Sequence, residues 1–469
     1  MTTKKQKLFS DTLLYMIGNF GSKTISFFLV PFYTRFLTTS EYGIMDLINT
    51  SKSLVLPLIY LQIIAGVYRY LINSDTEKKK QIISSSFFFV VAMVFISSLL
   101  FYLGLQFFDF TINYINLIIS MFIISIFNNL FRQVLRGLDK IRLYSVSGIV
   151  STFITSGLNI YFIGFLDMSY NGMLLATSIS LGVSSLMILI YGDIYKYINY
   201  KHINKNVFYG LIKYSVPLIP NTIGWWFMNV SDRYLIRLFL NLEYLGIYAI
   251  ANKFASVIFL FNTIFYQAWQ TSAIDEFDSN DKNKYYTEIF NYLLSFQLIL
   301  VLLGVISVKL FIPFLVGVEF VTAWEYTPFL FLGAMFQSFA SFYGTGYLST
   351  GNTMKSLMTT SLGAFFNLTI NLMLIPKIGL FAASISTFSA YFILWIVRIY
   401  TTKDYFNIRV NYKKLTIGLI LIFVSMMVNY LNHLGIILVI NFMVLISMIY
   451  INKNILVILF NKIKSFYNF

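Results

Sequence analysis

The chain alternates long apolar runs with short polar connections. Runs of about 20 residues or more recur at 11–34, 42–68, 82–105, 114–135, 144–165, 171–191, 211–236, 244–270, 287–316, 324–348, 353–375, 379–400, 415–431 and 434–452. A helix rises 1.5 Å per residue, so a run of about 20 spans the hydrocarbon core of a bilayer. The runs are continuous rather than alternating with period two, which predicts helices and not the strands of a membrane barrel. The pattern predicts an all-α integral membrane protein with about 14 transmembrane helices. The first run follows Lys4, Lys5 and Lys7, as a signal peptide would. It continues through Asn19 and Lys23 to Pro31 without a small-residue cleavage site, so it reads as a retained first span.

Charge gives the topology. Most of the 34 basic residues fall in alternate connections. These hold Lys4, Lys5 and Lys7; Arg69, Lys78, Lys79 and Lys80; Arg132, Arg136, Lys140 and Arg142; and Lys196, Lys201, Lys205 and Lys213. They continue with Lys282 and Lys284, then Lys355, then Arg398, Lys403, Arg409, Lys413 and Lys414, and finally Lys453, Lys462 and Lys464. The other connections hold only Arg35, Arg237 and Lys377. This positive-inside bias predicts cytoplasmic N- and C-termini. The net charge of +15 is then an orientation signal, and no nucleic-acid partner is expected.

Composition narrows the function. With 58% apolar and only 11% charged residues, the 469-residue chain is neither a soluble globule nor disordered. The spans leave no room for a soluble catalytic domain. There is no cysteine, and the two histidines, His202 and His433, sit in predicted loops. No thiolate, histidine cluster or metal-ligand set is available, so no enzyme activity and no cofactor are expected. GNFGSKT at 18–24 looks like a fragment of a phosphate loop, but its spacing is wrong and it lies inside a span.

The two halves repeat. Residues 36–44 read FLTTSEYGI and residues 239–247 read FLNLEYLGI, an offset that also pairs Asn49 with Asn252. The expected organisation is a six-helix bundle at 1–200, a second at 201–402, and two extra helices with a cytoplasmic tail at 403–469.

Charged groups inside the spans are the candidate chemistry. Lys23 lies mid-span, Asp46 and Lys52 lie in the second span, Asp232 and Arg233 in the seventh, Lys253 in the eighth and Lys309 in the ninth. A charge at bilayer depth costs roughly 2.5 kcal/mol or more unless a polar cavity or a partner receives it. Polar residues share faces with these charges: Tyr15, Asn19, Lys23 and Ser26; Asp46, Asn49 and Ser53; Asn221, Trp225, Asn229 and Asp232; Tyr248, Asn252 and Ser256. Stripes on equivalent helices of two repeats suggest a water-filled cavity at the repeat interface. Some charges have blander readings. Lys309 fits a snorkelling lysine, Asp232 and Arg233 fit an ion pair near a helix end, Lys253 fits a partner of Asp232, and Asp46 fits a boundary residue. Excess cations in the cavity suit an anionic substrate, and Asn, Ser, Tyr and Trp suit sugars.

Residues 213–236, KYSVPLIPNTIGWWFMNVSDRYLI, and 245–254, LGIYAIANKF, resemble the polysaccharide transporter family. These are Wzx-type oligosaccharide flippases of the multidrug/oligosaccharidyl-lipid/polysaccharide exporter superfamily. The segment DTLLYMIGNFGSKTISFFLVPFYTRFLTTSEYGIMDLI is similar to that family's first two helices. The resemblance implies translocation of undecaprenyl-diphosphate-linked oligosaccharide units across the bacterial cytoplasmic (inner) membrane, for O-antigen, capsule or exopolysaccharide synthesis. It implies that Lys23, Lys52, Arg233 and Lys253, with Asn19, Asn49 and Asn252, line the substrate site. Membrane lipids, and polymerase and chain-length proteins, are the implied partners. Asp46 and Asp232 are the candidates for H⁺ or Na⁺ coupling. The alternatives are a lipid II-type flippase, a drug exporter, which should have an acidic cavity, and a membrane polysaccharide polymerase, which would need larger outer loops.

Overall fold

The computed structural model describes residues 21, 23–72, 74–108, 114–350 and 352–453, and all the regular structure among them is helical. In chain order the helices are α1 (Val30–Phe36), α2 (Thr39–Ile59), α3 (Ile63–Leu71), α4 (Thr76–Phe108), α5 (Ile115–Gly137), α6 (Ile141–Asn159), α7 (Ser169–Tyr191) and α8 (Lys205–Ser215). There follow α9 (Ile219–Phe239), α10 (Leu242–Asp275), α11 (Lys282–Leu315), α12 (Ala323–Ser349), α13 (Thr353–Ile378), α14 (Leu380–Thr401), α15 (Tyr412–Asn429) and α16 (Leu434–Ile451). Among the described residues, ten helices are long and apolar enough to cross a membrane, or eleven if the bent pair α2–α3 is one span. The chain is a multi-pass membrane protein. α9 and α12 occupy the expected windows 211–236 and 324–348 but are less apolar. α9 carries Asp232, Arg233 and Arg237, and α12 is rich in Gly, Ser and Tyr and buried along most of its length. The expected window 11–34 and the tail beyond 453 lie mostly outside the described residues.

The chain divides into two compact units, residues 1–226 and 227–469. The contact boundary falls inside α9; the repeat boundary read from the sequence falls at 200/201. The offset has a local cause, because α8 packs on α3. Gly66 faces the Ser215 side chain so closely that a Cβ would lie 2.6 Å from its oxygen. The Tyr70 hydroxyl donates to the Gly210 carbonyl at 3.1 Å, and Arg69 stacks on Tyr214.

In the first unit, α2 begins with a capping box. The Glu41 amide donates to Thr38 Oγ1 at 3.3 Å, and the Thr38 amide donates to Glu41 Oε2 at 2.9 Å. The other Glu41 oxygen accepts from the Ser169 hydroxyl, which ties α2 to the start of α7. The second unit has a simpler, one-way cap at the matching position, where Tyr244 stands in place of Glu41. There Asn241 Oδ1 accepts from the Tyr244 amide at 3.0 Å and starts α10. The nine-residue sequence match thus marks two equivalent helix starts.

The expected second span is broken. Pro57 lies inside α2, and Leu61 and Gln62 take left-handed φ values of 47° and 57°. α3 leaves at 65° to α2. Proline removes one helical amide donor, and two non-glycine residues in the left-handed region complete the break. The Gln62 side chain donates to Thr222 Oγ1 at 2.7 Å, which fixes the corner against the start of α9.

In the second unit, α12 packs on α10, α11 and α14, with Gly304 and Gly333 allowing close approach. The last two helices are pinned by an asparagine relay. Asn429 Nδ2 donates to the Val305 carbonyl at 2.8 Å, Asn441 Nδ2 to Asn429 Oδ1 at 3.0 Å, and Ser425 to Asn441 Oδ1 at 2.7 Å. Lys309 does not simply reach for an interface: its ammonium donates to the Asn429 and Leu431 carbonyls, which lack helical partners at the end of α15.

Candidate functional site

α2 presents the first group of candidate residues. Asp46, Asn49 and Lys52 follow one another at helical spacing; Asn49 is exposed, and Asp46 and Lys52 are half-buried. Thr50, between them, bends its hydroxyl back to the Asp46 carbonyl at 2.8 Å, and its own carbonyl accepts from Trp226 Nε1 at 3.1 Å. The neighbouring Ser53 is exposed. Among the described residues, none hydrogen-bonds or ion-pairs with the Lys52 ammonium. Lys23 is exposed on the helical stretch that precedes α1. Asn19 lies outside the described residues.

The second unit holds the other group, and here the charges are tightly partnered. Asp232 and Arg233 on α9 are buried at 3% and 9% exposure. Asp232 Oδ1 accepts from the Arg233 amide at 2.9 Å and from Arg233 Nη1 at 3.1 Å, and Oδ2 accepts from the Tyr248 hydroxyl of α10. Arg233 Nη1 also donates to the Asn229 carbonyl at 2.9 Å, and the Tyr391 hydroxyl of α14 donates to Asn229 Oδ1 at 2.5 Å. Beside them, Ser231 donates to Asn367 Oδ1 at 3.3 Å, and Ser386 donates to Asn371 Oδ1 at 2.7 Å. The network therefore joins α9, α10, α13 and α14. A buried ion pair held this way is neutral overall, and losing either partner leaves an uncompensated charge. Asn252 donates to the Tyr248 carbonyl at 3.0 Å; Lys253 is half-buried and Ser256 exposed. The polar stripe on α10 thus runs from the buried network to the surface of the unit.

Sequence reasoning placed Arg398 with the basic residues of a connection. It is instead 2% exposed, inside the second unit. Its Nη1 donates to the Ala340 carbonyl at 2.8 Å, Nη2 to Thr360 Oγ1 at 3.1 Å and Nε to Thr359 Oγ1 at 3.4 Å. The guanidinium lies 5.7 Å from the Tyr347 ring centroid, and Gly344 makes room for it. Among the described residues no carboxylate pairs with it. Tyr391, Asn367, Asn371 and Ser386 were also missed as site residues. Their signal was present as isolated polar residues inside apolar runs, with Asn367 and Asn371 one helical turn apart.

Among the described residues no cluster of His, Asp or Glu could hold a metal ion. Outside the spans, Lys196 beside Asp193, with Lys140 near, holds that carboxyl below the usual carboxylate range. This is a solvated loop contact and not part of the buried network.

The fold is shared with known transporters. The lipid II flippase MurJ, in an inward closed conformation, superposes with a TM-score of 0.68 over 95% of this chain and 100% of that one, at 16% identity. An inward-facing multidrug resistance MATE family transporter of the MOP superfamily superposes at 0.66 over 81% of this chain and 94% of that one, at 13% identity. An uncharacterized membrane protein of Methanocaldococcus jannaschii is 41% identical over 71 residues, which are 15% of this chain and 14% of that protein. That likeness is therefore local. Residues 8–270 match the family described as "Polysaccharide biosynthesis protein", and this covers more than half of the sequence. The chain belongs to that polysaccharide biosynthesis protein family.

Proposed function

We propose that this protein is a flippase. It moves undecaprenyl-diphosphate-linked oligosaccharide units from the inner to the outer leaflet of a bacterial cytoplasmic membrane, with both termini cytoplasmic. The observation that carries the reading is Lys52. It is a cation on a helix embedded among membrane spans, with no partner among the described residues and with exposed Asn49 and Ser53 beside it. Such a charge costs roughly 2.5 kcal/mol or more in hydrocarbon, so its retention calls for a wetted face and an anion to receive. A diphosphate is a suitable anion for a flexible ammonium. Lys23, Asn19 and Asn49 in the first unit and Lys253 and Asn252 in the second are the further residues proposed to meet substrate; Arg233 could do so only on leaving Asp232 and the Asn229 carbonyl.

The physical task is to carry a diphosphate and its sugars across about 30 Å of hydrocarbon while the lipid tail stays in the bilayer. Access to the polar faces alternates between the two leaflets. Two negative charges moving outward are driven by an inside-negative potential and release about 4.6 kcal/mol per 100 mV if they cross the full field. Transport then needs no covalent chemistry and no cofactor. Asp46 is the candidate carboxylate for coupling H⁺ or Na⁺ movement to it; Asp232 could serve only on releasing Arg233 and Tyr248. Polymerase and chain-length proteins would take the delivered unit. A drug exporter of the same fold would need exposed acid for its cationic cargo, and the buried acid Asp232 is occupied by Arg233 and Tyr248.

The test is Lys23→Ala and Lys52→Ala, each measured for surface polysaccharide and for membrane insertion. Loss of polymer with normal insertion is expected; wild-type polymer in both variants overturns the assignment.

A further inference from the structure

The second unit contains a pocket of about 170 Å³ that the Asp232 network does not use. It lies between α10 and α12 and is lined by Asn262, Thr263, Tyr266, Gln337, Ser338 and Ser341. Phe265 and Phe342 supply its apolar wall. The lining residues carry carboxamides and hydroxyls and no formal charge. Several of these groups are available to a ligand. Thr263 spends its proton on the Phe259 carbonyl but keeps its acceptor sites, and the hydroxyls of Tyr266, Ser338 and Ser341 have no hydrogen-bond partner among the described residues. Behind the pocket, the buried Gln297 donates to Asn262 Oδ1 at 2.6 Å while its own Oε1 has no partner.

The wall is rigid. The Phe342 ring stacks on Trp269 at 4.0 Å and 9°, and Phe265 lies near-parallel to it at 6.5 Å. Trp269 Nε1 donates to the Phe342 carbonyl at 3.4 Å, which fixes the pair. Phe342 is itself almost fully buried against Trp269 and backs the pocket; the half-buried Phe265 is the lining ring whose surface, negative at its centre, can meet the weakly positive C–H face of a saturated ring. Polar groups around the rim then match hydroxyls at the ring's edge. Arg398 supplies the electrostatics. Its guanidinium bonds the Ala340 carbonyl next to Ser341, and it lies within electrostatic reach of the Tyr266 hydroxyl. A buried positive charge behind the wall disfavours a cationic ligand and tolerates a neutral or acidic one.

We propose that this pocket is a saccharide subsite that takes one neutral or acidic pyranose ring of the transported lipid. The volume fits one ring and not a drug-sized molecule, whose sites run from about 300 Å³ upward. The inference rests on the flippase reading and adds the part of the cargo that the lysines do not recognise.

The experiment uses the full-length protein in lipid nanodiscs. It compares binding of undecaprenyl diphosphate alone with binding of the same lipid bearing glucose, galactose, N-acetylglucosamine or galacturonic acid. Wild type should bind at least one sugar-bearing lipid about tenfold more tightly than the bare lipid. Ser341→Leu, which fills the pocket, and Thr263→Leu, at a more exposed position, should abolish that preference while leaving binding of bare lipid unchanged. Lys52→Ala should weaken both lipids alike. Equal wild-type binding of all lipids overturns the subsite and leaves the flippase reading standing. So does a preference that survives both leucine variants, or a parallel loss of both lipid classes in them. Wild-type protein that binds none of the lipids overturns the flippase reading itself.

Discussion

Gly344 and Arg398 provide the sharpest test of the packing in the second unit. A Cβ at position 344 would lie 2.6 Å from Arg398 Nη1, and the other atoms it would meet within 4 Å belong to the same guanidinium. Gly344→Ala must therefore push the guanidinium by about 1 Å to restore ordinary contact. That displacement loosens the 2.8 Å bond from Nη1 to the Ala340 carbonyl, a charged hydrogen bond with a net contribution of about 1.5–3 kcal/mol. Overpacking alone costs about 1–3 kcal/mol, so the substitution should cost about 2–4 kcal/mol. Arg398→Met removes the only clashing atoms. It also removes a buried charge together with its three hydrogen bonds, so its own cost is measured separately and only the difference between the two backgrounds is read. In the Arg398→Met background, Gly344→Ala should then cost under about 1 kcal/mol, which makes the coupling between the sites about 1–3 kcal/mol. The chain has no cysteine for thiol-reactive dyes, so unfolding is best followed by intrinsic tryptophan fluorescence in detergent. At about 2 °C per kcal/mol for a unit of this size, Gly344→Ala should lower Tm by about 4–8 °C alone and by about 2 °C or less beside Arg398→Met. An equal drop in both backgrounds would refute the proposed clash.

Other expectations follow from the same contacts. Thr38→Ala and Asn241→Ala each remove the cap at an equivalent helix start and should each cost about 1 kcal/mol in the same unfolding assay; a negligible effect at Asn241 would dissolve the equivalence of the two starts. Asn429→Ala strands the Asn441 amide and removes the added bond on the Val305 carbonyl. It should cost about 1–2 kcal/mol and increase proteolysis of α16 in protein held in nanodiscs, and unchanged protection would show that the relay does not hold these helices.

The helices were legible because bilayer thickness imposes a run length, and every expected window from 42 to 452 has a helical counterpart. The capped starts at Thr38 and Asn241 were legible as a repeated string, although their hydrogen bonds were not. The break at Leu61–Gln62 was hidden. Pro57 is visible, but proline alone bends many spans without breaking them, and the left-handed pair depends on the Gln62 contact with Thr222, far away in sequence. Arg398 was misplaced for a related reason. Charge near the end of an apolar run reads as interfacial, and its burial is decided by Thr359, Thr360 and Gly344 on other helices. Lys309 likewise finds its acceptors more than a hundred residues away, at the end of α15. In the candidate site, the charged residues stood out by their cost in hydrocarbon. The neutral partners Asn367, Asn371 and Tyr391 did not, because single amides and phenols in spans are common and inexpensive.

The corner between α2 and α3 makes the pair a crank. α3 has nine residues, so it forms an arm about 13 Å long set at 65° to the shaft. Turning α2 by about 10° about its own axis would swing the far tip of that arm, where Arg69 sits, sideways by about 2 Å. A small twist that re-aims Asn49 and Lys52 would thus arrive at Arg69 and Tyr70 as a lateral stroke and, through their contacts with Tyr214 and Gly210, at α8.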